Sequence, residues 1–403
     1  MKYITILVDG MADYPIDELD GKTPLEAAEI PSTNSLARRG EVGMVKTVPD
    51  GMAPGSDVAN LALMGYEPEI YHTGRSPLEA ASMGVELSES DVAFRCNLVS
   101  LSGEGALETR RMLDHSAGEI SNEEARELIT LINEQLGSES LRFYPGVSYR
   151  HLLVWKDGPW GFELTPPHDI LGQGIADYLP GGAHGRGFTD MTARSLELLE
   201  THPINLKRKE RGENPANSIW IWGEGKRPQL SSFQQRYGLK GAVISAVDLI
   251  YGIGILSGLE PIHVEGATGN IHTNFDGKAS AAIEALSGDT DYVYLHLEAP
   301  DESGHQGSLK DKIRSMELID QKVVAPIHEA LADSGQEYRI LILPDHPTPI
   351  SLRTHVAEPV PYVLYDSRHA GEERSQRFSE ASGKSSGCFF SSGPELIRHY
   401  LSE

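Results

Sequence analysis

Six short runs of this sequence are apolar on nearly every consecutive position: Lys2–Val8, 218–222, 242–245, Tyr292–Leu297, 339–343 and 361–365. A strand with one wet face alternates apolar and polar residues, whereas a strand covered on both faces need not. Most of these runs lack alternation, so they demand a packed layer on each side. Segments with helical spacing lie between them, at 59–64, 190–199, 247–256, 278–286 and 310–333. This alternation predicts an α/β fold: a largely parallel sheet with helices on both faces.

The middle of the chain reads differently. From about residue 93 to 206 come a strand-like start (AFRCNLVSL), a helix over 122–136, further short strands (LRFYPGV, YRHLLVW) and a loop-rich run. PGGAHGRG at 180–187 is the stretch richest in flexible residues, and 202–218 combines charge, Gly and Pro as a hinge back into the main sheet would. The expected organisation is a discontinuous core, 1–90 with 212–403, interrupted by an inserted α+β cap domain at 91–211.

Charge narrows the partners. With 35 Lys+Arg against 59 Asp+Glu, the 403-residue chain has a formal net charge of −24. That argues against nucleic acid and anionic membranes, which repel a negative surface. An anionic substrate would need a local reversal of the field. Cys96 and Cys388 exclude a disulfide framework and fit a reducing compartment. The apolar run at 4–8 is too short for a secretory signal or a span, and no other stretch approaches 18 apolar residues. A cytoplasmic protein is expected, and a homo-oligomer stays open.

The chemistry gathers at the ends of the expected strands. Lys2–Val8 ends on Asp9; Tyr292–Leu297 runs into APDESGHQG, with Asp301 and His305; 339–343 runs into PDHPTP, with Asp345 and His346; His355 follows nine residues later. Ligands of α/β sheets collect at the carboxyl ends of strands. Taken singly, an Asp after a strand is most simply a turn or cap residue. The set is harder to obtain by accident. Carboxylate with imidazole suits Zn²⁺ or Mn²⁺, and six such groups exceed the needs of one open catalytic ion but divide between two.

A nucleophile candidate is Ser56, where Pro54-Gly55 leads into an apolar helix. Ser56 or Asp57 could simply cap that helix; the same geometry also attracts phosphate oxygens. Two other motifs fail. SGKSS at 382–386 lacks the upstream Gly and strand of a P-loop, and GIGILSG at 252–258 lacks the third Gly of a dinucleotide fingerprint.

VDGMADYP, PGSDVANLALMGY, TGRSPLEAAS, APDESGHQG, LPDHPTP and RTHVAEPVPYVLY occur in that order along essentially the whole chain. Together they resemble the short, archaeal-type cofactor-independent phosphoglycerate mutases of the alkaline phosphatase superfamily. The resemblance implies an alkaline-phosphatase-like core, an inserted cap and two divalent ions (Mn²⁺, Zn²⁺ or Mg²⁺). Asp9, Ser56, Asp345 and His346 would hold one, and Asp301, His305 and His355 the other. It further implies that 3-phosphoglycerate gives its phosphoryl group to Ser56 and takes it back on the other hydroxyl as 2-phosphoglycerate, with no bisphosphoglycerate. Arg95, Arg150, Asp114, His115, Lys226 and Arg75 would bind substrate, and His151 would move a proton. The chain departs from the family at 114–118, where it has DHSAG in place of an Arg-rich DRRAGR. That branch is also described as a proposed homoserine kinase. A homoserine kinase-like phosphotransferase and a two-metal phosphatase or phosphodiesterase are therefore the competing readings.

Overall fold

A computed structural model describes residues 1–369 and 377–402. The chain forms two compact units, Met1–His72 with Gln229–Glu403, and Thr73–Pro228. In chain order the strands are β1 (Lys2–Val8), β2 (Glu41–Val45), β3 (Val92–Ser102), β4 (Arg111–Asp114), β5 (Leu141–Tyr144), β6 (Arg150–Trp155), β7 (Ser218–Lys226), β8 (Gly241–Ile244), β9 (Glu260–Ile262), β10 (Tyr292–Leu297), β11 (Tyr338–Leu343), β12 (Val360–Asp366) and β13 (Phe389–Phe390).

The first unit is built on an eight-stranded sheet in the order β13-β2-β12-β11-β1-β10-β8-β9. β1 lies between β10 and β11 and is parallel to both. The apolar run 361–365 does join this sheet, as β12, but antiparallel to β11. Every residue of β1, β10 and β11 is buried, which explains their lack of alternation. The two faces still differ. Ile4, Ile6, Val8, Val293, Leu295 and Leu297 enter one core with residues of the helices Phe275–Ser287, Leu309–Ile319 and Ala325–Asp333. Fully burying each such side chain contributes about 1.5–3 kcal/mol. The opposite face carries polar tips: Tyr292 meets Thr5 at 3.2 Å, and Tyr294 meets Asn60 at 2.6 Å from the helix Ser56–Leu63. The expected helix over 310–333 is interrupted by a π turn at Asp320–Val324, just before Pro326, which has no N–H to continue the ladder.

The second unit is an antiparallel sheet around β3, which pairs with β6 on one side and β7 on the other. β4 pairs with the end of β3 past a bulge at Ser100/Leu101, and β5 pairs with β6. The helices Asn122–Leu136 and Gly185–Leu199 supply Ile129, Ile132 and Phe188 to one face. There Phe94, Phe162 and Phe188 form an aromatic cluster, with Phe162 stacked on Phe188 at 4.6 Å. Two sequence expectations change here. The run 218–222 is a strand, but of this sheet and not of the main one, because β7 pairs with β3 along seven residues. The segment 202–218 is no open hinge: Pro203–Glu210 is a helix. Its Arg208 is buried, donating to Glu124 at 2.6 Å and to the Ala117 and Asn214 carbonyls. The second unit therefore starts at Thr73 and ends at Pro228, wider than 91–211. The helix Ser76–Ser82, which packs Ala80 against Ala93 and Leu152, belongs with it.

Candidate active site

Three parallel strands bring their carboxyl ends together. Asp9 follows β1, Asp345 and His346 follow β11, and Asp301 lies in the helix Ala299–Gln306 that follows β10. Gly10 has φ +62°, and a Cβ there would lie 2.6 Å from Asp301 Cα. Only glycine permits that approach of backbone to backbone.

Two overlapping groups result. Asp9, Asp345 and His346 form one, with His346 Nε2 3.3 Å from Asp345 Oδ2 and 3.7 Å from Asp9 Oδ1. Asp301, His346 and His355 form the other. His305 joins it, since His305 Nε2 and His355 Nε2 each lie 3.3 Å from an Asp301 oxygen and 2.8 Å from one another. The His346 and His355 rings stack at 3.8 Å. Ser56 Oγ is 3.1 Å from His346 Nε2. Ser56 does not cap its helix; Gly55 is the cap, without a side-chain bond, and Asp57 instead accepts from His72 at 2.8 Å.

The hydrogen bonds fix how the imidazoles face. His305 Nδ1 donates to the Arg353 carbonyl at 3.0 Å, His355 Nδ1 to the Pro54 carbonyl at 2.9 Å, and His346 Nδ1 meets Thr348 Oγ1 at 3.3 Å. Each Nε2 therefore faces the carboxylates, the arrangement of a metal-binding histidine with its outer nitrogen anchored.

Charge balance makes the same point. Burial pushes the Asp9 carboxyl well above the usual carboxylate range, and the Asp345 and Asp301 charges add to it. Asp9 Oδ1 is buried with no hydrogen-bond partner. For Asp301, burial acts upward, but the bonds to His305 and His355 outweigh it and hold the carboxyl well below its ordinary range. His305 is raised to about 9, chiefly by its bond to Asp301. Crowded, dry carboxylates with outward-anchored imidazoles are a poor arrangement alone and a suitable one for divalent cations.

Several supporting residues were not singled out from the sequence. Asn60 donates to Asp345 Oδ2 at 2.9 Å and to the Ser56 carbonyl at 2.9 Å. Thr348 Oγ1 donates to Asp301 Oδ1. Lys312, fully buried, donates to Asp13 at 2.7 Å and to the carbonyls of Ala12 and Thr348, tying the loops after β1 and β11 together. His296, in β10, meets Asp9 Oδ2 at 3.1 Å. The visible signals were polar residues inside apolar elements: Asn60 in SDVANLAL and His296 in YVYLHL.

The remaining expected residues belong to the second unit. Arg95, in β3, pairs with Glu79 at 2.9 Å and lies 4.3 Å over the Trp222 ring. Burial lowers its pKa, and the charges of Arg75 and Arg150 act in the same sense. Arg150 lies over Tyr149, and Lys226 over Trp160 at 5.7 Å. His115 meets Tyr149 edge-on at 5.6 Å and His168 at 6.1 Å; His168 also meets Trp222. His168 was missed, because nothing in its sequence neighbourhood marks it. Asp114 is occupied, accepting from Ser116 N, Ser116 Oγ and Gly118 N in its own turn and from the distant Asn214 Nδ2. Those bonds, against the upward effect of burial, hold its carboxyl below the usual range. His151 departs from its expected role. It is 2% exposed, its Nδ1 accepts from Gly146 N–H at 3.0 Å, and its Nε2 is buried without a partner. Burial lowers it to about 3, so the ring is neutral, with Nε2 enclosed by the unit's own core.

A model of the family described as 2,3-bisphosphoglycerate-independent phosphoglycerate mutase matches residues 37–205. The chain is 51% identical over 398 residues, 98% of each sequence, to the 2,3-bisphosphoglycerate-independent phosphoglycerate mutase of Methanosarcina barkeri. Among solved structures it superposes on the PH0037 protein of Pyrococcus horikoshii with a TM-score of 0.81 at 28% identity, covering 100% of this chain and 98% of that one. It also superposes on the cofactor-independent phosphoglycerate mutase of Thermoplasma acidophilum, with a TM-score of 0.67 at 25% identity and full coverage of both. With its α/β architecture, its strand-end carboxylates and histidines and this likeness along its whole length, the chain belongs to the 2,3-bisphosphoglycerate-independent phosphoglycerate mutase family.

Proposed function

We propose that this chain interconverts 3-phosphoglycerate and 2-phosphoglycerate through a phosphorylated Ser56, without bisphosphoglycerate. The observation that carries the reading is Ser56 Oγ at the start of a helix, 3.1 Å from His346 and beside the Asp9/Asp345 and Asp301/His355 groups. Two divalent cations, one held by Asp9, Ser56, Asp345 and His346 and one by Asp301, His305 and His355, would neutralise phosphoryl oxygens and ease loss of the Ser56 proton. Ser56 Oγ attacks phosphorus in line, the bond from phosphorus to the substrate oxygen breaks, and that oxygen takes a proton. After the glycerate turns, its other hydroxyl gives up a proton and attacks the phosphoserine, and the Oγ–P bond breaks. Both steps conserve the phosphoryl group.

Arg95, Arg150, Arg75 and Lys226 are proposed to hold the carboxylate and phosphoryl charges. His115, half-buried and not locked like His151, is proposed to carry the proton between hydroxyls. Asp114 serves by shaping the turn that presents His115. The cytoplasm is the proposed compartment. Among the described residues no helix is long and apolar enough to cross a membrane.

The test is conversion of 3-phosphoglycerate by the purified protein with Mn²⁺ and no bisphosphoglycerate. Turnover with negligible phosphate release is expected. Steady phosphate release would favour a phosphatase, and phosphohomoserine from homoserine and ATP would favour the kinase-like alternative.

A further inference from the structure

The Asp9 carboxylate is held by a chain of groups that crosses three neighbouring strands. Ser245 follows β8, His296 is in β10 and Asp9 follows β1; all three are buried, with Ser245 and His296 each 1% exposed. His296 Nδ1 lies 3.2 Å from Ser245 Oγ, and His296 Nε2 lies 3.1 Å from Asp9 Oδ2. Val247 N–H donates to Ser245 Oγ at 3.0 Å.

Donor accounting gives this chain a direction. A carboxylate that binds a cation is ionised and only accepts, so in that state the His296 hydrogen facing Asp9 sits on Nε2. A neutral imidazole then accepts at Nδ1, and the partner able to donate there is the Ser245 hydroxyl. Ser245 in turn accepts from Val247. Every group uses one donor and one acceptor, and the chain ends on Asp9 Oδ2. Asp9 Oδ1 is left over, buried and unpartnered, on the side of His346.

We propose that His296 is a positioning residue that pins one oxygen of Asp9 so that the other faces the cation, with Ser245 selecting the ring tautomer that can do so. The inference rests on the metal-binding part of the function proposed above. β10 contributes twice to this arrangement. Tyr294, two residues earlier on the same face, donates to Asn60 Oδ1 at 2.6 Å, and Asn60 donates to Asp345. A strand that carries no metal ligand in its body thus orients carboxylates from both of its companions, β1 directly and β11 through Asn60. Outer groups of this kind typically govern metal affinity by about 10–100-fold.

The test is Mn²⁺ titration calorimetry on the full-length protein, with thermal melts as the folding control. His296→Phe removes the donor and should raise the dissociation constant of one site by about 10–100-fold. His296→Gln, which can present an amide N–H in place of Nε2–H, should recover most of the affinity. In an Asp9→Asn background His296→Phe should add nothing, because the two act on the same ligand. A folded His296→Phe protein with wild-type affinity, or a Gln variant as weak as the Phe variant, would overturn the proposal. If the Phe variant does not fold, Ser245→Ala decides: a dissociation constant raised several-fold supports the chain, and an unchanged one removes it. Wild-type protein that binds no Mn²⁺ would overturn the metal reading itself, and this inference with it.

Discussion

The two units are built around opposite charges. The first buries Asp9, Asp301 and Asp345 within a few ångströms of one another. The second gathers Arg75 and Arg150 around Arg95, and His115 near His168, with Glu79 the acid paired to Arg95. The acids of the first unit sit on strand ends, inside a shell of directional hydrogen bonds. The cations of the second rest on aromatic rings, Trp222, Tyr149 and Trp160. The first arrangement suits small hard cations at set distances; the second clusters several cationic side chains close together. A net charge of −24 does not bar a phosphorylated substrate, because the field of a local cationic cluster and not the total charge acts on it.

The largest effect expected from this contrast is at Ser56. Ser56→Ala should lower mutase turnover by about 10⁴-fold or more, as loss of a nucleophile does, while the melting temperature stays near wild type and Mn²⁺ binding weakens only at the site that Ser56 shares with Asp9, Asp345 and His346. Retained turnover, or absence of a phosphoserine mass shift in wild-type protein mixed with substrate, would remove Ser56 from the chemistry.

Next comes metal removal. Chelation should abolish activity and also lower stability, since the acids of the first unit then face each other uncompensated. At a free Mn²⁺ concentration 100 times the dissociation constant, binding adds about 2.7 kcal/mol. Melts with and without chelator measure this, and equal melting temperatures would show that the acid cluster holds no cation.

The second unit should respond differently. Arg95→Met is expected to raise KM for phosphoglycerate about 10–100-fold, the equivalent of losing one charge-assisted contact of about 1.5–3 kcal/mol, with Mn²⁺ affinity untouched. If KM is unchanged and only the melting temperature falls, Arg95 serves Glu79 and Trp222 alone.

The smallest effect is on pH. In metal-free protein His305 is raised from 6.5 to about 9 by Asp301. A raised histidine contributes stability that is complete below 6.5 and is lost as pH rises through 9, so the metal-free protein should weaken over that interval. Binding a cation there must expel the same proton. Apparent Mn²⁺ affinity should therefore rise with pH, by up to about tenfold per unit, and level off near 9. Calorimetry in buffers of different ionisation enthalpy counts the proton; none released would break the link.

Much of the first unit was legible in the sequence, because strands covered on both faces announce themselves and their ends carry unusual residues. Asp9, Asp301, Asp345 and His346 stand out in the sequence by following strands, and the structure brings them together; Ser56 had only a Gly-rich turn before an apolar helix to mark it. Less of the second unit could be read. Run 218–222 looks the same in either sheet, since composition does not say which neighbour a strand will choose; pairing with β3 decides it. His151 looked like a proton carrier beside Arg150, but strand alternation turns it inward while Arg150 points out. Asn60 and His296 escaped notice because their partners lie 285 and 287 residues away.

Those separations have a cost in time. β1 ends at Val8, yet its partners β10 and β11 begin at Tyr292 and Tyr338. At about 5–20 residues per second, a ribosome reaches β10 roughly 15–60 s after completing β1. The unit spanning Thr73–Pro228 is contiguous in sequence and can assemble during that wait. A long-exposed apolar N-terminal strand is an invitation to mispairing, and chaperone dependence of the nascent chain should trace to residues 2–8. The Asp9 site would then come into existence only after β11 has been made.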